Sequence, residues 1–280
     1  MTDFRIVQIS DTHLSPSKPF FNANFDRVAD WLRQERPDAV FHTGDIALDG
    51  ADRDEDLAFA RAAHDGLGLE TAFVPGNHDV GNNAEPGEVV RQGVDDTRLD
   101  RYRSVFGADR WIRDLGAWRF VGLNSALFGS GLDEEAAQEA FLAEALAAGP
   151  GRPVALVLHK PLFLDEPDEA AETGYWYAPR GARRRLVDLI GSADVRLVMS
   201  GHIHQQRIRL WRSTAMVWAP AVAFVVPDWN HERLGEKQCG LVDYRFSGDR
   251  VSVRTVQVPG MVDHDLGDFE GAYGVLPRTN

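Results

Sequence analysis

The stretch AFVPGNHDVG, residues 72–81, ends an apolar run on glycine and then presents an amide, an imidazole and a carboxylate in succession. A tight turn is one account of this run; a turn that holds ligands at a strand's end is another, and the rest of the chain decides between them. Four other apolar runs end in the same residue types. FRIVQIS (4–10) is followed by Asp11 and His13, and DAVFHTG (38–44) by Asp45. PVALVLH (153–159) ends on His159, and VRLVMSGH (195–202) ends on His202 with His204 two positions on. In α/β folds, sites form at the carboxyl ends of strands, so the runs are expected to deliver these donors, together with Asn77, to one edge of the sheet. Neighbours two apart in an extended segment face the same way, so His202 and His204 both reach one centre. Gly44, Gly76 and Gly201 allow sharp turns without a Cβ clash.

Between the runs lie helical patterns, which together predict an α/β architecture. NFDRVADWLRQER (24–36) places Phe25, Val28 and Leu32 on one face, with Asn24 as its cap. A second helix follows Asp52 as a plausible cap, a third lies around DDTRLDRYRSVFG, a fourth begins at Asp133, and RGARRRLVDLIG is a fifth. WRFVGLNS (118–125) reads as a further strand. Beyond residue 204 the pattern changes: AMVWAPAVAFVV, CGLVDYRF and RVSVRTVQV are strand-like without long helices between them, so antiparallel strands closing a second sheet are expected. Residues 1–258 read as one domain and 259–280 as an irregular C-terminal tail packing near the mouth of the site.

The chain has 280 residues, 44% of them hydrophobic, enough for one large core. Its 30 Lys and Arg stand against 43 Asp and Glu, a formal charge of -13 that repels nucleic-acid backbones and anionic membranes. A nucleic-acid polymer or a membrane is therefore not an expected partner. An acidic chain that binds a phosphate ester needs a local positive charge, and a bound metal supplies one. Cys239 is the lone cysteine, read as a small core residue, and it permits no intrachain disulfide. No basic segment followed by a long apolar run opens the chain, and no stretch approaches the ~18 apolar residues of a membrane span. A cytoplasmic chain without a signal peptide is the expectation.

Asp, His and Asn offer N and O donors without thiolate, a set suited to Mn, Fe, Zn or Ni. Seven donors exceed what one ion needs, and two ions sharing Asp45 would use them. The order Asp-x-His, Gly-Asp, Gly-Asn-His-Asp, His, Gly-His-x-His, over residues 11–204, resembles the calcineurin-like metallophosphoesterase superfamily. Its Gly-Asn-His-Asp variant and compact size resemble the bacterial class III cyclic-nucleotide phosphodiesterase and glycerophosphodiesterase branch. The resemblance implies a two-sheet β-sandwich flanked by helices, in four layers α-β-β-α. It implies two metal ions, Fe/Mn or Mn/Mn with Zn or Co as alternatives. Asp11, His13, Asp45 and His204 would hold one ion, and Asp45, Asn77, His159 and His202 the other. It further implies a phosphodiesterase acting on small-molecule diesters through a metal-bridging hydroxide. His78 would face the substrate with its ring held by Asp79. A phosphomonoesterase on the same centre and a non-catalytic metal-binding scaffold are the alternatives, and a homodimer is left open.

Other polar residues have plainer expectations. His42 is expected to pack or support a ligand, His64 to lie on the surface, and Asn124 to stand behind the site. Arg183, Arg184 and Arg185 read as a solvated basic face, with Arg180 a candidate for the mouth. His231 and His264 fall in loops without an assigned role. Residues 80–110, 165–180 and 259–280 are the expected wall of the pocket.

Overall fold

A computed structural model describes residues 3–83, 92–148, 151–169 and 175–276. Parts of the expected pocket wall, residues 84–91, 170–174 and 277–280, lie outside that range. The elements in chain order are β1 (Phe4–Ile9), α1 (Asn22–Glu35), β2 (Ala39–His42), α2 (Asp54–Asp65), β3 (Thr71–Phe73), α3 (Asn77–Val80) and α4 (Asp96–Phe106). Then follow β4 (Trp111–Leu115), β5 (Trp118–Gly122), α5 (Asp133–Ala147), β6 (Val154–Val157), α6 (Arg180–Gly191), β7 (Val195–Ser200), β8 (Arg207–Trp211) and β9 (Thr214–Trp218). Last come β10 (Leu241–Ser247), β11 (Arg250–Val256) and α7 (Glu270–Tyr273).

Two mixed sheets face each other, in the orders β11-β10-β1-β2-β3 and β4-β5-β6-β7-β9-β8. The period of two along each strand explains the layering. In β1, Ile6 enters the core between the sheets, while Val7 and Ile9 face the helices. In β6, Ala155 and Val157 point between the sheets, and Val154 and Leu156 point to the other helical layer. The inter-sheet core adds Phe41, Trp118, Phe120, Leu197, Met199 and Phe246. On the outer faces, Phe25, Val28 and Leu32 of α1 and Leu57 of α2 cover the first sheet, and Leu142 of α5 with Leu186 and Ile190 of α6 cover the second. The fold is the four-layer α-β-β-α sandwich expected. No helix among the described residues is long and apolar enough to cross a membrane.

Several expectations need correction. The C-terminal strands do not close a sheet of their own: β10 and β11 extend the first sheet, with β10 antiparallel to β1, and β9 lies parallel to β7 in the second. The donors therefore sit along the rims of two facing sheets rather than one edge. Strands β4 and β8 lie at sheet edges, and WIRDL and RIRLW are too short and too charged to read as apolar runs. Asn24 is not the cap of α1, which starts at Asn22 after Phe21. Its amide instead donates to the carbonyls of Val222, Ala223 and Val262, and its oxygen accepts from Val262 N–H. Asp52 pairs with Arg98 at 2.7 Å instead of capping α2. Arg183 is fully buried and donates to the Ala178 and Pro167 carbonyls, while Arg184 and Arg185 stay exposed and paired with acidic neighbours. Successive helical residues point about 100° apart, so one of three consecutive arginines is driven inward.

His64 is the other reversal. It is buried among Phe25, His42 and Phe73, and neither ring nitrogen has a hydrogen-bond partner among the described residues. Burial, with nearby Arg61 assisting, lowers its pKa to about 3. The folded ring stays neutral where an unfolded one, near the ordinary 6.5, takes a proton. Stability contributed by keeping it neutral is therefore full above that ordinary value and is lost as pH falls toward the folded one. His64→Leu should match or exceed wild-type stability at neutral pH. In urea unfolding at about pH 4 the variant should gain on wild type by roughly 3 kcal/mol; equal acid sensitivity of the two proteins would refute the assignment.

Candidate metal centre

The loops after β1, β2, β3, β6 and β7 meet at one end of the sandwich and bring Asp11, His13, Asp45, Asn77, His159, His202 and His204 together, all buried. Two groups of donors emerge. Asp11 Oδ1 lies 3.2 Å from His204 Nε2 and 4.0 Å from His13 Nε2, and the two imidazole nitrogens are 3.3 Å apart. In the second group, His159 Nε2 lies 3.2 Å from Asn77 Oδ1 and 3.1 Å from His202 Nδ1. Asp45 Oδ2 stands between them, 3.8 Å from His13 Nε2 and 3.2 Å from His159 Nε2. One carboxylate oxygen thus belongs to both groups. His78 also lies within reach of His13 and Asp45.

The local chemistry leaves an acceptor on each donor residue turned inward. Asp11 Oδ2 accepts from Ser10 Oγ and from the backbone N–H of His202, while its buried Oδ1 has no hydrogen-bond partner among the described residues. Asp45 Oδ1 accepts from the backbone N–H of His78 at 2.8 Å, leaving Oδ2 for the shared position. His159 Nδ1–H donates to Thr43 O, His202 Nε2–H to Tyr175 O and His204 Nδ1–H to Phe224 O. These outer bonds set each tautomer and turn a bare nitrogen toward the centre.

Bare lone pairs and two carboxylates packed this closely repel one another unless a positive charge sits among them. Protonation follows the same demand. Burial opposes charge on His159, but the neighbouring Asp45 carboxylate more than offsets it and raises the ring to about 9. Burial, reinforced by adjacent imidazoles, holds His13 and His202 well below the usual histidine range, as neutral N donors. Two divalent cations fit these groups: the donors are N and O only, and the +4 charge of such a pair outweighs the -2 of Asp11 and Asp45.

The backbone is unusual here. Asp11, His13, Asp45, His202 and His204 all adopt left-handed conformations, with φ between 43° and 69°. At Gly76 the reason for glycine is approach rather than φ: a Cβ there would lie 2.2 Å from Asp45 Oδ1. At Gly201 it would lie 1.9 Å from Ser10 Oγ.

Asp79 departs from expectation. Its carboxylate does not touch the His78 ring, whose Nδ1 meets Leu48 O at 3.0 Å. It accepts instead from the backbone N–H groups of Gly76, Ile46 and Ala47 at 2.8–3.1 Å. Adjacent residues of α3 point apart, so one enters the cavity and the other clamps the loop bearing Asp45 to the loop bearing Asn77. Asn124 lies behind none of the donors, holding Asp109 and the following 3-10 turn. Cys239 is buried, as expected. His42 packs behind the Asp45 loop, where Nδ1 accepts from Gly44 N–H and Nε2 bonds Thr12 Oγ1.

A cavity of about 440 Å³ opens over the centre, lined by His13, Asp45, His78, His202 and His204 and walled by Tyr175, Trp176, Phe224, Val226, Leu266 and Tyr273. Arg180 is exposed and does not line it. Trp176 stacks on the buried ring of His231 at 3.9 Å. Tyr175, Trp176 and Tyr273 carry no motif that marks them in advance. The only sequence signal was their aromatic character within segments expected to form the wall.

The sequence profile of the calcineurin-like phosphoesterase family matches residues 4–206. The chain is 32% identical over 169 residues to serine/threonine-protein phosphatase CPPED1 of Danio rerio, covering 58% of this chain and 51% of that protein. It thus spans about half the length of the curated relatives it matches. Among solved structures, a purple acid phosphatase from yellow lupin (Lupinus luteus) seeds has a TM-score of 0.67 at 15% identity, covering 94% of this chain and 53% of that one. A dimetal phosphatase from Danio rerio has a TM-score of 0.61 at 16% identity, covering 93% and 97%. At such identities the likeness to solved structures is one of fold.

Asp79→Ala tests the clamp. It strands three backbone donors, so stability should fall by about 3 kcal/mol and metal content should fall with it. A partner of the His78 ring alone would leave the melting temperature and metal content at wild-type values.

Proposed function

The chain belongs to the calcineurin-like phosphoesterase family, and from that premise we propose that it hydrolyses small phosphodiesters at a pair of divalent cations. Asp11, His13, Asp45 and His204 would hold one cation, and Asp45, Asn77, His159 and His202 the other. Fe/Mn or Mn/Mn are the pairs proposed, with Zn or Co as alternatives. When bound, such a pair polarises phosphoryl oxygens and acidifies water near neutral pH.

The observation that carries the diester reading is the cavity wall. Among the described residues no Lys or Arg lines it, and Phe224, Val226, Leu266 and Leu276 make much of it apolar. A diester carries one negative charge at the phosphoryl group and brings a second alcohol that an apolar wall can shelter. A monoester dianion favours further cationic groups. His78 is the polar side chain facing the substrate: with Nδ1 bonded to Leu48 O, Nε2 is left for the cavity. With both nitrogens protonated, its Nε2–H stabilises charge on the phosphoryl oxygens or passes its proton to the departing alkoxide. Asp79 contributes by clamping the Asp45 and Asn77 loops.

The second reading, a phosphomonoesterase, is favoured by the relatives that carry the name serine/threonine-protein phosphatase. Protein stripped with EDTA and reconstituted with Mn²⁺ separates the two. We expect turnover to vanish on stripping and return on reconstitution. We also expect kcat/KM on bis(p-nitrophenyl) phosphate to exceed that on p-nitrophenyl phosphate by about tenfold or more, a gap of about 1.4 kcal/mol in transition-state stabilisation. The reverse ratio would establish the monoesterase, and no metal-dependent turnover on either would point to a scaffold. His78→Ala should lower kcat by ~10²–10⁴-fold with both ions retained; an unchanged kcat would remove His78 from the chemistry.

A further inference from the structure

Five imidazoles meet at the centre, and each keeps one ring nitrogen for an outer hydrogen bond. Four of them use a backbone carbonyl: Leu48 for His78, Thr43 for His159, Tyr175 for His202 and Phe224 for His204. Any residue supplies a carbonyl, so those bonds do not depend on which side chains stand there. His13 is different. Its Nδ1 lies 2.6 Å from the hydroxyl of Tyr273, 260 positions away in the chain.

Tyr273 belongs to α7, in a C-terminal segment that is firmly seated. Asn24 bonds both the N–H and the carbonyl of Val262. Val225 exchanges backbone hydrogen bonds with His264 and Leu266, and Lys18 Nζ donates to Ala272 O. Leu266 and Ala272 are buried with Phe21, Leu48 and Phe224. The ring of Tyr273 packs 4.9 Å from that of His78 and 5.9 Å from that of His13.

We propose that Tyr273 is a positioning residue for His13: its phenolic oxygen accepts the Nδ1–H, turning the Nε2 lone pair toward Asp11 and His204, so that the C-terminal segment controls occupancy of that one cation position. The proposal rests on the dinuclear reading above. An outer partner of this kind fixes ring orientation and raises ligand basicity, and its loss typically weakens metal binding by about 10–100-fold. The second group, whose histidines lean on carbonyls, has no comparable dependence on residue 273.

The test needs no substrate. Metal-free full-length protein is titrated with Mn²⁺ by calorimetry, and bound ions are counted. Wild type should take up two. Tyr273→Phe keeps the ring and removes only the hydroxyl. It should weaken one site by about 10–100-fold, leave the other at wild-type affinity, and recover turnover at high Mn²⁺. Its metal-free melting temperature should match wild type, as should every property of the control Val275→Ser, at a side chain 80% exposed. Two wild-type affinities in Tyr273→Phe would overturn the proposal. So would equal weakening of both sites together with a lowered metal-free melting temperature, which marks a structural role. A wild-type protein that binds no pair of ions would overturn the proposal and the dinuclear reading together, and that result is distinct from the other two.

Discussion

Asp45 Oδ2 faces His13 from its own side of the sandwich and His159 from the other, at 3.8 and 3.2 Å. Around that oxygen the protein buries a second carboxylate, an amide oxygen and bare imidazole nitrogens, with the hydrogen-bond donors spent on their outer sides. Acceptors pressed together without donors raise the free energy of the fold until positive charge arrives. The proton that His159 holds up to about 9 is one response to that need. A pair of divalent cations answers it more completely, and answers the net charge of -13 at the one place where a phosphate ester must approach.

Holding that arrangement strains the backbone. Five of the seven non-glycine residues with left-handed φ among the described residues are candidate ligands. Such conformations cost on the order of 1–3 kcal/mol each and persist only where surrounding structure over-determines them. Here the surroundings are three apolar layers: one between the sheets and one beneath each set of helices. The Asp79 clamp on Gly76, Ile46 and Ala47 adds a local restraint where two loops carry ligands side by side. Strand ends anchored in a packed core thus aim side chains that their own loops would not hold.

The cavity over the centre is built from different material. Tyr175 and Trp176 come from the segment before α6, Phe224 and Val226 from the loop after β9, and Leu266 and Tyr273 from the C-terminal segment. Arg183, buried under the Ala178 and Pro167 carbonyls, ties the first of these to the body. Asn24 and Lys18 tie the last. The donors for metal therefore come from strand ends and the wall for substrate from loops, and the two meet in the contact between His13 and Tyr273.

The fold class and the donors were legible because both are written in local patterns. Short apolar runs mark β1 and β6 as strands, a period near 3.6 marks α1, and Asp11, His13, Asp45, Asn77, His159, His202 and His204 each stand at or just past the end of an apolar run. Edge strands β4 and β8, short and interrupted by charged residues, do not stand out from loops by the same measure. Tertiary structure alone decided which neighbours the remaining polar residues have. Asp79 follows His78, yet two of its three backbone partners, Ile46 and Ala47, lie on the loop from β2; His64 and Arg183 sit in helices whose polar residues read as exposed, yet both are buried. The contact of His13 with Tyr273 bridges residues that share no periodicity or motif. Each depends on how separate elements pack, and packing is a property of the whole chain at once.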